Sequence, residues 1–333
     1  LLEQCLEAVS AREASVHAFV TLNLDDARAA ADRSARRYAR GTPLSPVDGC
    51  PVAVKDIMAT VDMPTQMNSP IFRGWRSGYD AACVAALRAG GAIILGKTVT
   101  TEFAIDRSGP TRNPHDLRRT PGGSSSGSAA AVACGMTPAA LGTQTVGSIL
   151  RPASYCGVVG FKPTHGALHT GGIHQLSSTL DHLGTIASTV DDAWHVAAYL
   201  GTAIGSHGGS ALVTSAPARR ISGPPRLLFL RTLGWAETDS ASRAALTSLL
   251  TRLRRQGVSI TDRQDRTVAA LEAGLDAHVG GFADILAYEM QWPYGEYVRQ
   301  HGARAVGPRI RELLAQARDV SQRAYARWDT SRA

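Results

Sequence analysis

Lysine is scarce in this 333-residue chain. It occurs only at Lys55, Lys97 and Lys162, and the rest of the 35 positively charged side chains are arginine. Aromatic residues are also few, at 6%, and charged residues make up 19%, below the roughly 25% of an average soluble domain. Apolar residues account for 44%, which is too many for a disordered chain. We therefore expect a folded protein with a large core of small side chains.

Several other features are missing. No run approaches 18 consecutive apolar residues, so we expect no membrane-spanning helix and no membrane partner. The chain starts LLEQCLEAVSARE, which has acidic residues where a signal peptide has basic ones and no initiating Met. We interpret this start as the interior of a helix and expect a chain truncated at both ends. The five scattered cysteines form no CxxC pair and no metal spacing, which indicates reduced cytoplasmic thiols and no metal site.

The net charge of +7 and the pI of about 9.4 raise the question of nucleic-acid binding. Arginine doublets occur, for example Arg36-Arg37 and Arg254-Arg255, but acidic residues lie nearby and no aromatic residues are interleaved for stacking on bases. Net charge by itself indicates only non-specific association. We therefore predict no nucleic-acid partner.

Strand-like and helix-like segments alternate along the chain, which predicts an α/β fold. Residues 1–40 are predicted to be helical, and Asp80 is predicted to cap a helix that ends near Arg88. Further elements are predicted as strands at 49–54, 92–95, 226–230 and 258–260, and as helices at 129–134, 189–201, 239–256 and most of 266–333. Residues 202–224 are predicted to be a surface connection. We expect a single domain over residues 1–333, with a more variable βαβ and helical part at 225–333.

One motif suggests a nucleotide site. Residues 91–98, GAIILGKT, match the phosphate-loop pattern G-x-x-x-x-G-K-[ST] letter for letter. A phosphate cradle needs a polar loop whose N–H groups point inward, whereas the four central residues here favour a buried strand. The motif also follows a helix instead of opening one. We therefore predict a strand that ends in a turn, and no nucleotide site.

Three segments carry residues suited to catalysis. Lys55 directly follows the apolar residues 51–54, and a buried ammonium tends to lose its proton and become a general base. The alternative is a lysine at a strand end that extends its amine to solvent. The Gly/Ser block at 121–128 offers Ser124 and Ser125, and Ser148 follows a turn whose amides are suited to holding an oxyanion. None of the ten histidines has the context of a serine-protease triad.

These segments resemble the amidase signature family. The resemblance rests on GCPVAVKD, TRNPHDLRRTPGGSSSGSAAAVACG, GTQTVGSILRPASYCGVVGFKPTHG and SSTLDHLGTIASTVDDA, and it covers about residues 45–200. It implies an α/β/α sandwich around a large mixed β-sheet, and it implies no cofactor. It also implies a Ser-cisSer-Lys triad with Lys55 as base, Ser124 as bridge and Ser148 as nucleophile. On the residues alone, Ser124 and Ser125 are both possible bridges, and the family alignment selects Ser124.

The resemblance further implies an amide hydrolase. Ser148 would attack the carbonyl, the amides of Thr145, Val146, Gly147 and Ser148 would hold the oxyanion, and ammonia would leave from an acyl-enzyme. The substrate expected is a small linear amide, with a carboxylate-bearing one as the first candidate. The alternatives are an enzyme for biuret, allophanate or neutral amides, an A-type amidotransferase subunit for tRNA-linked transamidation, and a non-catalytic binding protein. A homodimer is the family-level expectation.

Two residues depart from the common family pattern, and one arginine is displaced. Val146 stands where most relatives have glycine, which would strain the loop if the position required a positive φ. Gln144 replaces a more frequent Asp. The arginine, Arg151, lies three residues after Ser148 as in the malonamidase-like subgroup, where it holds a substrate carboxylate. The alternative for Arg151 is a structural ion pair. Cys156 is predicted to be a buried, inert thiol.

Overall fold

The computed structural model describes residues 1–206, 212 and 222–331. They form two compact units, one from Leu1–Ala218 with Glu289–Ala317 and the other from Arg219–Tyr288 with Arg318–Ala333. All the candidate catalytic residues lie in the first unit. Most of the connection expected at 202–224 lies outside the described residues, and the single domain over 1–333 stays a prediction.

The first unit contains six strands and most of the long helices of the described chain. The strands are β1 (Phe19–Leu22), β2 (Pro51–Lys55), β3 (Ile93–Thr98), β4 (Ala139–Gln144), β5 (Val159–Phe161) and β6 (His182–Ala187). The helices are α1 (Leu2–Val16), α2 (Leu24–Ala39), α3 (Ala82–Ala89), α4 (Ser126–Ala133), α5 (Leu150–Cys156), α6 (Val190–Ile204), α10 (Gln291–His301) and α11 (Pro308–Gln316). Short 3₁₀ helices lie at Pro70–Phe72, Glu102–Ala104 and Ala303–Ala305.

The six strands form one mixed sheet in the order β1-β3-β2-β4-β6-β5. The central strand β2 runs parallel to β3 and β4, and the remaining pairs are antiparallel. Every residue of β2, β3 and β4 is buried, which explains their near-continuous apolar sequences. The α/β fold with a mixed sheet and surrounding helices is therefore confirmed.

Small side chains let helix α4 approach the sheet closely. All of its first seven residues are buried, and its alanines pack with alanines of β2 and β4. At Gly127 an added Cβ would lie 2.2 Å from the Ala18 carbonyl oxygen and 2.5 Å from the Val99 nitrogen. Because only glycine fits there, the Gly/Ser block is a tightly packed turn and not a flexible linker.

The phosphate-loop pattern does not form a loop. Residues Ile93–Thr98 are strand β3, and all six are buried. The Lys97 Nζ lies 3.1 Å from Asp56 Oδ1 and also donates a hydrogen bond to the Met58 carbonyl. The prediction of a buried strand at this motif is confirmed. The amine of Lys97 is held by contacts within the protein core.

Two secondary-structure predictions in the N-terminal half of the chain are wrong. The helix expected over 1–40 is interrupted after His17, which has a φ of 54°, and Phe19–Leu22 pairs with β3 instead. The aromatic and β-branched residues in Phe19–Leu22 favour a strand. Helix α3 begins with Ala81 as its N-cap and has no side-chain cap. The Asp80 carboxylate instead accepts from the Val61 amide at 2.8 Å.

The second unit contains a small βαβ element. Its strands β7 (Arg226–Leu228) and β8 (Ser259–Thr261) are parallel, which agrees with the βαβ unit predicted for this part of the chain. Its helices are α7 (Ser240–Arg255), α8 (Arg266–Ala277), α9 (Val279–Glu289) and α12 (Gln322–Ser331), with 3₁₀ turns at Leu233–Trp235 and Ala317–Asp319. No helix in the described ranges has both the length and the hydropathy to cross a membrane.

Candidate active site

Lys55 lies at the carboxyl end of β2 and is fully buried. Its Nζ lies 2.7 Å from Ser124 Oγ and 2.8 Å from Thr143 Oγ1. Burial lowers the pKa of Lys55 to about 7, and the positive charge of Arg151 acts in the same direction, whereas the negative charge of Asp181 opposes it. A large fraction of Lys55 is therefore neutral near pH 7, and it does not extend its amine to solvent.

The structure brings Ser124, and not Ser125, to the Lys55 amine. The Gly123–Ser124 peptide is cis, and the Ser124 carbonyl accepts from the Thr101 amide at 3.2 Å. The Ser125 hydroxyl points elsewhere and donates to the Thr143 carbonyl at 3.3 Å. The choice between the two serines that the residues alone left open thus has a geometric answer in this structure.

Ser148 lies between β4 and α5 and is 7% exposed. Its carbonyl accepts from the Ser125 amide at 3.2 Å, which joins the Ser148 segment to the Gly/Ser block. The Ser148 hydroxyl makes no hydrogen bond to any other described residue, so the contact from Ser148 to Ser124 that a proton relay needs is not formed here. Catalytic hydrogen bonds are often long without substrate and shorten when it binds.

The loop of residues 145–148, called the nucleophile loop here after the role predicted for Ser148, presents unpaired amides. Within the described ranges, none of its four N–H groups donates to another protein group. The next two amides are held, because Ile149 N and Leu150 N donate to Gln144 Oε1 at 2.9 and 3.0 Å. The Gln144 side chain thereby links the start of the loop to the start of α5, and the N–H groups of residues 145–148 stay available for an oxyanion.

Val146 does not strain this loop. It is absent from the non-glycine residues with positive φ in the described chain, and Gly147 is absent from the glycines with positive φ. The Val146 side chain is 64% exposed. A β-branched residue is therefore accommodated at this position, and its side chain projects from the loop that carries Ser148.

Arg151 is held by the backbone. Its Nε and Nη2 donate to the Gly123 carbonyl at 2.9 and 2.6 Å, and it forms no ion pair with a described acidic residue. The sequence left open a pocket-facing arginine or a structural ion pair. The observed contact is a third arrangement, in which the guanidinium fixes the carbonyl next to Ser124.

Sequence reasoning missed two residues of the site. Thr143 on β4 accepts from Lys55, and Asp181 Oδ1 accepts from Thr145 Oγ1 at 2.6 Å. The sequence carries no local signal for Thr143, because its contact with Lys55 depends on the parallel pairing of β2 with β4. Asp181 lies in the SSTLDHLG segment, one of the stretches that resemble the amidase signature.

Cys156 and Lys162, the other nucleophilic or basic residues of this region, are held in contacts apart from the Lys55–Ser124 pair. Burial raises the pKa of Cys156 to about 12, which agrees with an inert thiol. Lys162 donates to the Pro163 carbonyl at 2.7 Å. Among the residues that the structure describes, no three His, Cys, Asp or Glu side chains are grouped to hold a metal.

The family model described as Amidase matches residues 1–323. The chain belongs to the amidase family. Among curated relatives, the A subunit of glutamyl-tRNA(Gln) amidotransferase from Anaeromyxobacter sp. (strain K) is 47% identical over 199 residues, which is 58% of this chain and 40% of that protein. The subunit from Salinispora arenicola is 46% identical over 219 residues, or 64% of this chain and 44% of that protein. The chain thus spans about two fifths of the length of these relatives.

Solved amidase structures share the fold. A crystal structure of an amidase superposes with a TM-score of 0.81 at 28% identity and covers 99% of this chain and 72% of that one. The peptide amidase of Stenotrophomonas maltophilia gives 0.77 at 27% identity, with 99% and 74% covered. These relatives are amidases and amidotransferase subunits, so the predicted enzyme class, acting on amide carbon–nitrogen bonds, agrees with the family. The malonamidase-like subgroup stays a prediction.

Proposed function

We propose that this amidase hydrolyses the carbon–nitrogen bond of a small linear amide through an acyl-enzyme on Ser148 and releases ammonia. The observation that carries the proposal is the 2.7 Å contact between the buried Lys55 amine and the Ser124 hydroxyl. A lysine whose pKa is lowered to about 7 is available as a neutral base near neutral pH. The free amides of the nucleophile loop supply the second requirement, which is a site for the oxyanion.

The proton relay follows from the contacts of Lys55. A neutral amine has two N–H groups and one lone pair, so the Thr143 contact keeps Lys55 as donor while the Ser124 contact reverses, with Ser124 donating to Nζ. Ser124 in turn takes the proton of Ser148 as the Ser148 oxygen bonds to the carbonyl carbon. The carbonyl π electrons move to oxygen, which the amides of Thr145, Val146, Gly147 and Ser148 would stabilise.

The second half of the reaction returns the proton. The tetrahedral intermediate collapses, the carbon–nitrogen bond breaks, and the nitrogen takes the proton that passes back from Lys55 through Ser124. Ammonia leaves and an ester on Ser148 remains. Water then attacks this ester, with Lys55 again accepting the proton, and the carboxylic acid is released as the serine is restored.

A screen for ammonia release tests this function directly. The panel contains a malonamate-like acid amide, the uncharged propionamide, and biuret. Ser148→Ala should abolish release, whereas Ser154→Ala, an exposed serine on the following helix α5, should keep it. Equal activity of Ser148→Ala and the unmodified protein would refute the mechanism.

Arg151 decides between acidic and neutral amides. Two of its five N–H donors serve the Gly123 carbonyl, which leaves donors for a substrate carboxylate. If the substrate carries a carboxylate, Arg151→Ala should raise KM for the acid amide by at least about tenfold more than for propionamide. If Arg151 only fixes Gly123, kcat should fall to a similar extent for both amides.

A second candidate function is that of an ammonia-producing subunit of an amidotransferase. It is favoured by the 47% identity to amidotransferase A subunits over 199 residues. This role shares the acyl-enzyme and differs in where ammonia goes, since a partner subunit would pass it to a tRNA-linked acceptor. Co-purification of partner chains from the native host, together with ammonia release that rises when they are added, would support it. Full activity of the chain alone would favour the hydrolase.

A further inference from the structure

A half-buried carboxylate lies beside the nucleophile loop. Asp181 immediately precedes β6, and its Oδ1 accepts from Thr145 Oγ1 at 2.6 Å. Its Oδ2 accepts from the amides of Leu176 and Ser177 at 2.7 and 3.2 Å. Burial raises the pKa of Asp181, and the three donors that converge on its side chain, together with the positive charge of Lys55, oppose that rise and favour the ionised carboxylate.

The segment that carries Asp181 is itself braced. The Glu289 carboxylate accepts from Thr179 N at 3.2 Å, from Thr179 Oγ1 at 2.5 Å and from the Ser177 hydroxyl. The Asp181 amide donates to the Ser177 carbonyl at 3.1 Å. These contacts hold Asp181 in place, and its hydrogen bond to the Thr145 hydroxyl restrains the first residue of the nucleophile loop.

Asp181 also acts on Lys55 through its charge. The charged groups that act on the Lys55 amine are Asp181 and Arg151, and Asp181 binds Thr145, two residues beyond the Thr143 that contacts Lys55. Arg151 disfavours the Lys55 ammonium, so Asp181 is the negative charge that limits how far the proton affinity of Lys55 falls.

We propose that Asp181 is a positioning residue of this amidase. It anchors the nucleophile loop through Thr145, and the negative charge of its carboxylate offsets the positive charge of Arg151 at the Lys55 amine. The inference rests on the proposed function, because that function gives the loop and Lys55 their roles.

Two substitutions separate the two parts of this role. In Asp181→Asn, the amide oxygen still accepts from Leu176 N, and the amide NH₂ can donate to the Thr145 hydroxyl, so the charge is removed while the contacts are kept. In Thr145→Val, the hydrogen bond is removed while the Asp181 charge is kept. Thr145→Ser restores the hydroxyl and serves as the rescue variant.

The charge is tested by a measurement that needs no substrate. Because the chain has three lysines, protein labelled with ¹³C at lysine Cε gives three signals, and Lys55→Ala identifies the signal of Lys55. Asp181→Asn should move the Lys55 titration midpoint to lower pH by about one unit. Asp239→Asn, which changes an exposed helix-capping carboxylate in the second unit, should leave the midpoint in place. An unmoved midpoint in Asp181→Asn would refute the electrostatic role.

The anchoring is tested by the reactivity and the mobility of the loop. A fluorophosphonate should label Ser148 of Thr145→Val at least roughly tenfold more slowly than the unmodified protein at pH 9, and Thr145→Ser should recover most of the rate. Amide hydrogen exchange at Ile149 and Leu150, whose amides are hydrogen-bonded to Gln144 at the end of the loop, should be faster in Thr145→Val and normal in Thr145→Ser. Unchanged exchange in Thr145→Val would overturn the anchoring. Absence of Ser148 labelling in the unmodified protein would overturn the proposed function, while the exchange and titration data would still decide on Asp181.

Discussion

The Lys55 amine lies 2.7 Å from the Ser124 hydroxyl, and both residues are buried. This contact requires a side chain that can exist as a neutral base, which arginine, with a pKa above about 12, cannot be near pH 7. We therefore expect Lys55→Arg to be as inactive as Lys55→Ala, with ammonia release and fluorophosphonate labelling of Ser148 both lost. Lys162→Arg is the matched control and should remain active, because the hydrogen bond that the structure describes for the Lys162 amine goes to the backbone carbonyl of Pro163. Activity in Lys55→Arg would show that Lys55 is not the base.

Much of the site was predictable because its residues lie in local patterns. Lys55 follows a buried strand, the Gly/Ser block precedes a helix of small residues, and Ser148 follows a strand and a turn. Each pattern is short and depends on local backbone preference and burial, which a single sequence carries. The predicted strand at the phosphate-loop pattern succeeded for the same reason, since its central residues favour burial over a polar loop.

The remaining features depend on contacts between distant segments. Phe19–Leu22 becomes a strand because it pairs with β3, more than 70 residues later in the chain. Thr143 meets Lys55 across two parallel strands, and Asp181 meets Thr145 from a segment 36 residues away. The contact of Arg151 with the Gly123 carbonyl spans 28 residues. Sequence periodicity reports which face of an element is buried, and it does not report which distant residue lies opposite.

The pH dependence of the reaction should reflect the titration of Lys55. Burial lowers the pKa of Lys55 to about 7, and only the neutral amine accepts a proton. The kcat/KM for amide hydrolysis should therefore rise with pH through a midpoint near 7 and fall about tenfold per unit below it. The rate of Ser148 labelling by a fluorophosphonate, measured from pH 5 to 9, should follow the same curve. A rate that stays constant down to pH 5 would contradict Lys55 as the general base.

Gln144 should be needed for the shape of the nucleophile loop and not for its chemistry. Its Oε1 accepts from the amides of Ile149 and Leu150, so Gln144→Ala leaves two partly or fully buried donors unpaired. We expect a loss of about 1–3 kcal/mol in the free energy of unfolding, measured with urea, and a fall in kcat. Gln144→Glu keeps the acceptor and should retain most of the stability. If Gln144→Ala keeps both its stability and its kcat, the loop is held by other contacts.

The ion pair of Lys97 with Asp56 should matter for stability, because both side chains are fully buried. Lys97→Ala leaves the Asp56 carboxylate buried without its partner, and breaking such a pair from one side costs about 3–5 kcal/mol. The free energy of unfolding in urea should fall by that amount. Because we predict no nucleotide site at residues 91–98, ATP should stabilise neither the unmodified protein nor Lys97→Ala. Arg118→Ala removes an ion pair with Asp116 in which the arginine side chain is 90% exposed, and it should cost no more than about 1 kcal/mol. A Lys97→Ala protein as stable as Arg118→Ala would show that Asp56 is neutral without its partner.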